Sequence, residues 1–195
     1  MSASDTRAAL MDAAERAVRE QGVDGFSYAD LSRAVGIRKA SIHYHFPGKA
    51  DLLVAIMARY RARILAELEL FAQDERAASA SIASFLSLYR SALKDCTALC
   101  LCVASAVNPQ GLDSRVTGEI QRFREAVVAW LESRFEVACQ DGSVDAVGDP
   151  REEAAAALAM AEGGQIAARL AGSMTRFDLA VALLTQRLKG AAAIE

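Results

Sequence analysis

The stretch Phe26-Ser-Tyr-Ala-Asp-Leu-Ser-Arg-Ala-Val-Gly-Ile-Arg-Lys-Ala-Ser-Ile-His-Tyr-His-Phe-Pro-Gly-Lys49 decides the fold of the N-terminal part of this chain. Ser27 and Asp30 form a capping-box-like start for one helix, and Gly36 supplies the turn that ends it. A second short helix is predicted over about 39–45. Helix, glycine turn and helix is the arrangement in which the second helix enters the major groove of DNA while the first braces it.

The charge of this segment supports the same interpretation. Residues 26–49 contain four Lys/Arg and one Asp, before any contribution from their two histidines. Up to Arg63 the chain has ten Lys/Arg and seven Asp/Glu, whereas the remainder has 12 and 18. The net charge of −3 therefore hides a positive N-terminal end on an acidic body, and a positive end favours a nucleic-acid partner.

The rest of the chain is also predicted to be helical. Hydrophobic residues make up 53% of the 195 residues and only three prolines interrupt them, and Ala and Leu are good helix formers. Apolar spacing predicts about nine helices in all, including a long one that begins near Lys49. No apolar run approaches the ~18 residues of a membrane span, and residues 1–18 lack a signal-peptide pattern, so we expect a cytoplasmic protein without a membrane partner.

The opening stretch resembles the N-terminal domain of the TetR family of transcriptional regulators. The second and third helices of that family read roughly F-[ST]-x-x-[DE]-[IL]-A-x-x-[AV]-G-[VI]-[ST]-[KR]-[GA]-[ST]-[LI]-Y-x-[HY]-F-x-[SN]-K-x-x-L. The residues here that fit this pattern, which allows any residue at the positions of Ala34 and Tyr44, are Phe26, Ser27, Asp30, Leu31, Ala34, Val35, Gly36, Ile37, Lys39, Ala40, Ser41, Ile42, Tyr44, His45, Phe46, Lys49 and Leu52. Among the departures from the pattern, Arg38 replaces the usual capping Ser or Thr, and His43 replaces a common tyrosine.

The resemblance implies an all-α fold with two domains. Residues 1–48 would be a three-helix helix-turn-helix domain that binds double-stranded DNA, and residues 49–195 a helical domain for ligand binding and dimerisation. It also implies a homodimeric repressor that holds a pseudo-palindromic operator until an unknown small-molecule inducer releases it. The expected DNA contacts are Ser27, Tyr28, Arg38, Lys39, Ser41, His43, Tyr44, His45 and Lys49.

We assign the dimer interface to the last two helices. Gly163 and Gly164, with alanines around them, let another helix approach closely, and two helices from each subunit would then form a four-helix bundle. The alternative is that these small residues pack within one subunit.

The body of the chain has two further features of interest. Cys96, Cys100 and Cys102 are interpreted as buried thiols, as a redox or electrophile sensor in which Cys100 is the reactive thiol, or as a soft-metal site. Aromatic and methionine side chains could line a ligand cavity, although each is also explained as core. These candidates are Phe85, Tyr89, Phe123, Trp130 and Met160.

No catalytic residue, cofactor or metal site is predicted. His43 and His45 are two residues apart and point to different sides of a helix, which disfavours a shared zinc ion. The chain shows neither a Gly-rich phosphate loop nor a set of nucleophile, base and acid. A helical enzyme and an interaction module that does not bind DNA are the alternatives to a DNA-binding regulator.

Overall fold

The computed structural model describes residues 3–73, 77–106 and 111–190. Within these ranges the chain forms nine α-helices and no β-sheet, which confirms the predicted all-α class. The helices are α1 (Ala3–Gln21), α2 (Tyr28–Val35), α3 (Lys39–His45), α4 (Lys49–Gln73), α5 (Ala78–Ser91), α6 (Leu101–Ala106), α7 (Ser114–Asp141), α8 (Pro150–Ala171) and α9 (Thr175–Thr185). None of them, as far as the described ranges go, has both the length and the apolar character needed to cross a bilayer.

The chain divides into two compact units. The first unit consists of Met1–Ala62 and Leu101–Phe123, and the second of Arg63–Cys100 and Arg124–Glu195. Helices α4 and α7 each begin in the first unit and end in the second. The predicted boundary between residues 48 and 49 falls inside the first unit, and the assignment of residues 1–48 to DNA binding stays a prediction.

Local sequence signals explain the start and end of the helix-turn-helix elements. Ser27 and Asp30 form a reciprocal capping box, in which each side chain accepts a hydrogen bond from the backbone N–H of the other residue. Gly36 ends α2 in the left-handed conformation with φ 73°, which glycine adopts without a Cβ penalty. Helix α3 begins after Arg38, whose side chain makes no capping bond, as the departure from Ser or Thr predicts.

An apolar core holds the first three helices against the start of α4. One face of each helix is buried, as the helical spacing of apolar residues predicts. Burying such side chains supplies most of the stability of a small helical unit. The buried residues of this core include Leu10, Ala14, Val18, Phe26, Leu31, Ile42, Phe46, Leu52, Leu53 and Ile56.

In the second unit, α8 and α9 pack tightly on each other. Asp149 caps α8 by accepting from the N–H groups of Arg151 and Glu152, as the Asp-Pro start predicts. A Cβ added to Gly164 would lie 3.1 Å from atoms of both Phe177 and Ala180, which belong to α9 of the same chain. Gly164 therefore serves packing within the subunit, as the alternative interpretation of these small residues predicts. The assignment of the dimer interface to the last two helices stays a prediction.

A different set of residues on α8 and α9 faces solvent. The sequence analysis did not single these residues out, although all are large and apolar. Their exposure is unusual, because large apolar side chains that cluster on a surface mark an interaction site. They are Ile166, Leu170, Leu179 and Leu183, and Leu170 is the most exposed at 88%.

Candidate DNA-binding interface

Helix α3 presents a polar face to solvent. Its apolar anchor, Ile42, is fully buried, and the residues on the other side of the helix are exposed. Because successive residues are 100° apart on a helix, Tyr44 lies opposite Ile42, and Ser41 and His43 lie on the two flanks of that exposed face. Tyr44 is 81% exposed, which is exceptional for an aromatic ring. The structure thus brings Ser41, His43 and Tyr44, three of the predicted DNA contacts, onto one accessible surface.

Tyr28 holds the C-terminal end of α3 in place. Its hydroxyl donates to the Phe46 carbonyl oxygen at 2.9 Å, and its ring lies 4.9 Å from that of His43. Burial, with a smaller contribution from the negative charge of Asp51, raises the pKa of Tyr28 to about 12. The hydroxyl is protonated at neutral pH and its one hydrogen is already donated. Tyr28 therefore positions α3, and its contact with DNA stays a prediction.

Lys49 is engaged within the protein. Its Nζ donates to the Phe26 carbonyl oxygen at 2.8 Å and lies 4.3 Å from the centre of the Phe26 ring. Burial lowers the pKa of Lys49, with the charge of Asp24 acting in the opposite direction. An ammonium has three hydrogens, so two are left for a phosphate. The neighbouring Gly48 N–H donates to Asp51, which removes one donor from the start of α4.

Two cations beside α3 provide positive charge for the phosphate backbone. Arg38 and Lys39 are both exposed, and neither forms an ion pair with any residue in the described part of the chain. By contrast, Arg33 is paired with Asp30 on α2, so its charge is largely compensated locally. The hydrogen bonds from Ser27 and Arg33 also hold the pKa of the Asp30 carboxyl below its ordinary value.

Two further predicted contacts, Ser27 and His45, are less available to DNA than the exposed residues of α3. Ser27 is exposed, but its Oγ donates to the Asp30 carboxylate at 2.7 Å within the capping box. His45 is half-buried, with its ring 5.2 Å from that of Tyr44 in an edge-on arrangement. Both lie at the margin of the exposed face of α3, and their contact with DNA stays a prediction.

In the second unit, three of the proposed ligand-cavity residues come together. The rings of Phe85 and Tyr89 lie 4.7 Å apart on α5, and Phe85 lies 6.3 Å from Trp130 on α7. Phe123 belongs to the first unit instead, where its ring packs 5.8 Å from that of Tyr60. Met160 is partly exposed on α8. The aromatic cluster in the second unit therefore consists of Phe85, Tyr89 and Trp130.

Helix α8 supplies two polar residues that the sequence analysis missed. Gln165 is fully buried, and it accepts from the Cys100 backbone N–H at 2.9 Å and donates to the Tyr89 carbonyl oxygen at 2.6 Å. Glu162 is ion-paired to Arg124 through one carboxylate oxygen, while its other oxygen, Oε1, is buried and has no hydrogen-bond partner within the described part of the chain. The signal for both was their position in an otherwise alanine-rich helix.

Of the three predicted sensor cysteines, Cys96 and Cys100 belong to the second unit and Cys102 to the first. Cys96 and Cys100 do not share a helix face, because α5 ends at Ser91 and the chain then turns through residues with positive φ. Cys96, Cys100 and Cys102 are buried, as the first of the three interpretations predicts, whereas a reactive thiolate needs solvent access. Among the described residues there is no group of three or more His, Cys, Asp or Glu that could hold a metal ion.

Comparison with known proteins supports a regulator. Residues 10–56 match the family model for bacterial regulatory proteins of the tetR family. The HTH-type transcriptional regulator TtgR of Pseudomonas putida is 38% identical over 55 residues, which are 28% of this chain and 26% of TtgR. The HTH-type transcriptional repressor BepR of Brucella suis is 32% identical across 38% of this chain and 46% of BepR.

The fold similarity extends over almost the whole chain. A TetR-family transcriptional regulator from Agrobacterium tumefaciens, known from its crystal structure, superimposes with a TM-score of 0.91 at 25% sequence identity. The superposition covers 97% of this chain and all of that one. The sequence match at the helix-turn-helix and the structural match across both units agree: residues 10–56 are similar to the tetR family of bacterial regulatory proteins, and the chain has the fold of a TetR-family regulator.

Proposed function

We propose that this chain is a cytoplasmic, homodimeric repressor that binds a pseudo-palindromic operator and leaves it when a small-molecule inducer binds. Its DNA-binding domain is residues 1–48 and its effector-binding and dimerisation domain is residues 49–195. Because the family is one of transcriptional regulators, an enzymatic activity is set aside. In a symmetric dimer, the two α3 helices would enter successive major grooves about 34–36 Å apart.

The observation that carries the proposal is the exposed polar face of α3. A helix that served only to pack the first unit would not place Tyr44, His43 and Ser41 in solvent beside two unpaired cations. Hydroxyls, rings and cations in that combination bind phosphates and base edges. The same face favours a DNA-binding regulator over a helical interaction module.

The inducer would bind in the second unit, at the aromatic cluster formed by Phe85, Tyr89 and Trp130. Two buried polar atoms at the neighbouring helices have no partner among the described residues: Nε1 of Trp130 and Oε1 of Glu162. A buried polar group without a partner is costly, and a ligand that satisfies it gains that free energy on binding. A ligand acts as an inducer only if it binds the operator-free conformation more tightly than the operator-bound one.

Selection of bound fragments from the source genome tests this function. The purified full-length chain is mixed with sheared genomic duplex DNA at modest ionic strength, and retained fragments are sequenced. A repressor enriches a small number of fragments that share an inverted repeat, and the enrichment falls steeply as salt is raised. Failure to retain any fragment at low salt contradicts the proposal and favours an interaction module.

Lys49→Ala is expected to weaken binding to all duplex sequences alike. The loss of one phosphate contact per subunit should flatten the dependence of log affinity on log salt by about 0.9 for each contact. Stability should fall by about 1 kcal/mol, because the Phe26 carbonyl oxygen loses its hydrogen bond. Lys39→Ala is the matched control: it should flatten the salt dependence without destabilising the fold. An unchanged salt slope in Lys49→Ala removes Lys49 from the phosphate contacts.

Trp130→Phe is expected to leave the effector-free protein as stable as the wild type, or more stable by up to about 1 kcal/mol. The substitution removes a buried N–H that has no partner but retains most of the ring that packs on Phe85. Urea unfolding of the two proteins measures the difference. A loss of more than about 1 kcal/mol would mean that the indole N–H is hydrogen-bonded in the effector-free protein and is not held ready for a ligand.

A further inference from the structure

The surroundings of His43 indicate a more specific role than a general contact with DNA. It lies on the exposed side of α3, next to Tyr44, at a position where the family pattern has a tyrosine, so its base preference does not follow from the resemblance. We infer that His43 presents a hydrogen-bond acceptor to the major groove and thereby selects a base with an exocyclic amino group, adenine or cytosine. This inference rests on the proposed DNA-binding function.

The tautomer of His43 follows from its hydrogen bond. Nδ1 of His43 lies 3.2 Å from the carbonyl oxygen of Pro47. A carbonyl oxygen can only accept, so the hydrogen of this bond must be on Nδ1. A neutral imidazole has one N–H, and Nε2 therefore carries a lone pair and acts as an acceptor.

The ring of His43 is also held in orientation. The ring of Tyr28, on the preceding helix α2, packs against it with the two ring centres 4.9 Å apart. The Tyr28 hydroxyl donates a hydrogen bond to the carbonyl oxygen of Phe46, the residue before Pro47. The ring thus has neighbours on one face and a hydrogen bond at Nδ1, while the residue as a whole stays exposed. The other ring nitrogen, Nε2, takes no part in the hydrogen bond to Pro47 and is the polar atom that can bind a partner.

An acceptor at this position discriminates among DNA groups. Phosphate oxygens are acceptors, so a neutral His43 cannot form a hydrogen bond with the backbone. In the major groove, guanine offers O6 and N7 and thymine offers O4, all acceptors, whereas adenine N6 and cytosine N4 are donors. His43 therefore favours an amino base over a keto base on the contacted strand. One such hydrogen bond is worth roughly fivefold in affinity for each half-site.

A binding selection with three proteins tests the inference. Randomised duplex DNA is selected at pH 8 with the wild type, His43→Phe and His43→Lys. The wild type should enrich adenine or cytosine at one position in each half-site. His43→Phe keeps a ring against Tyr28 but has no acceptor, so it should lose this preference and keep the others. His43→Lys has only donors, and it should reverse the preference to guanine or thymine.

A base analogue provides a second readout that does not depend on selection. Replacing the preferred adenine by purine deletes only the N6 amino group. The wild type should then lose about fivefold in affinity per modified half-site, while His43→Phe should not respond. Circular dichroism confirms that both variants fold, as expected for an exposed position.

The outcomes separate this inference from the proposed function. In one outcome, the wild type enriches DNA in which no position both prefers adenine or cytosine and loses this preference in His43→Phe. That result overturns the inference and leaves the proposed function intact. A preference for guanine at the His43-dependent position also overturns it, because that base requires a donor. No enrichment by the wild-type protein overturns both.

Discussion

Replacing Tyr44 by alanine is expected to abolish operator binding while leaving the fold intact. Tyr44 is 81% exposed, so its removal creates no cavity and should change stability by less than about 0.5 kcal/mol. A base-edge contact is typically worth about 1–3 kcal/mol, and a dimer makes this contact in both half-sites. The expected loss is therefore roughly 2–6 kcal/mol, or about 30-fold to 10⁴-fold in affinity.

Fluorescence anisotropy with a selected operator measures this loss, and thermal unfolding measures stability on the same samples. Tyr44→Phe is the matched control because it keeps the ring and removes the hydroxyl, so it reports how much of the effect comes from the hydroxyl group. If Tyr44→Ala retains wild-type affinity, the exposed face of α3 is not the surface that contacts DNA.

Introducing glutamate at both Leu170 and Leu183 should give a monomer that no longer holds the operator. These side chains are 88% and 75% exposed on α8 and α9 in the single chain, and burying a leucine fully is worth about 1.5–3 kcal/mol. The two-fold axis of a dimer repeats each substitution, so four carboxylates would enter one interface. With only one half-site bound at a time, operator affinity should fall by at least about 100-fold.

Sedimentation equilibrium at micromolar concentration gives the oligomeric state. Leu70→Glu is the control, since Leu70 is another exposed leucine of the second unit, at 63%, but lies on α4 and outside the proposed interface. This variant should remain a dimer. A double variant that also remains a dimer places the interface elsewhere on the molecule.

The elements of the helix-turn-helix were predictable because their signals are local. The Ser27 and Asp30 capping box and the left-handed Gly36 each act on residues at most four positions away, and both lie where the sequence analysis predicted them. The Asp149 cap is equally local. The remaining helices were predictable for the same reason, because their apolar residues recur at helical spacing. Such signals depend only on neighbours along the chain.

The partners of individual side chains were not predictable, because they depend on residues far apart in sequence. Gly164 contacts Phe177 across the α8–α9 turn, and nothing in the sequence near Gly164 indicates whether its neighbour is its own chain or another. Likewise, Lys49 looks like a phosphate ligand by position, but its ammonium contacts Phe26, 23 residues earlier. Phe123 follows the apolar spacing of α7, but it belongs to the first unit, whereas Phe85 belongs to the second.

The candidate site shows the same difference between signals that are local in sequence and contacts between distant residues. Exposure of Tyr44 and burial of Ile42 follow from helical periodicity once α3 is placed, so the solvent-facing residues of α3 could be predicted from sequence. The role of Tyr28 required the structure, because it depends on a hydrogen bond to Phe46, 18 residues away. Side-chain identity indicated a DNA-binding helix, and three-dimensional contacts show what holds that helix in position.

Dimethyl sulfate footprinting of the wild-type dimer on a selected operator most directly tests the claim that α3 enters the major groove. The reagent methylates guanine N7 in the major groove and adenine N3 in the minor groove. We predict protection of guanine N7 at two sites about one helical turn apart, with Tyr44→Ala abolishing both. Protection of adenine N3 alone, or a bound complex with every guanine N7 reactive, would contradict the account.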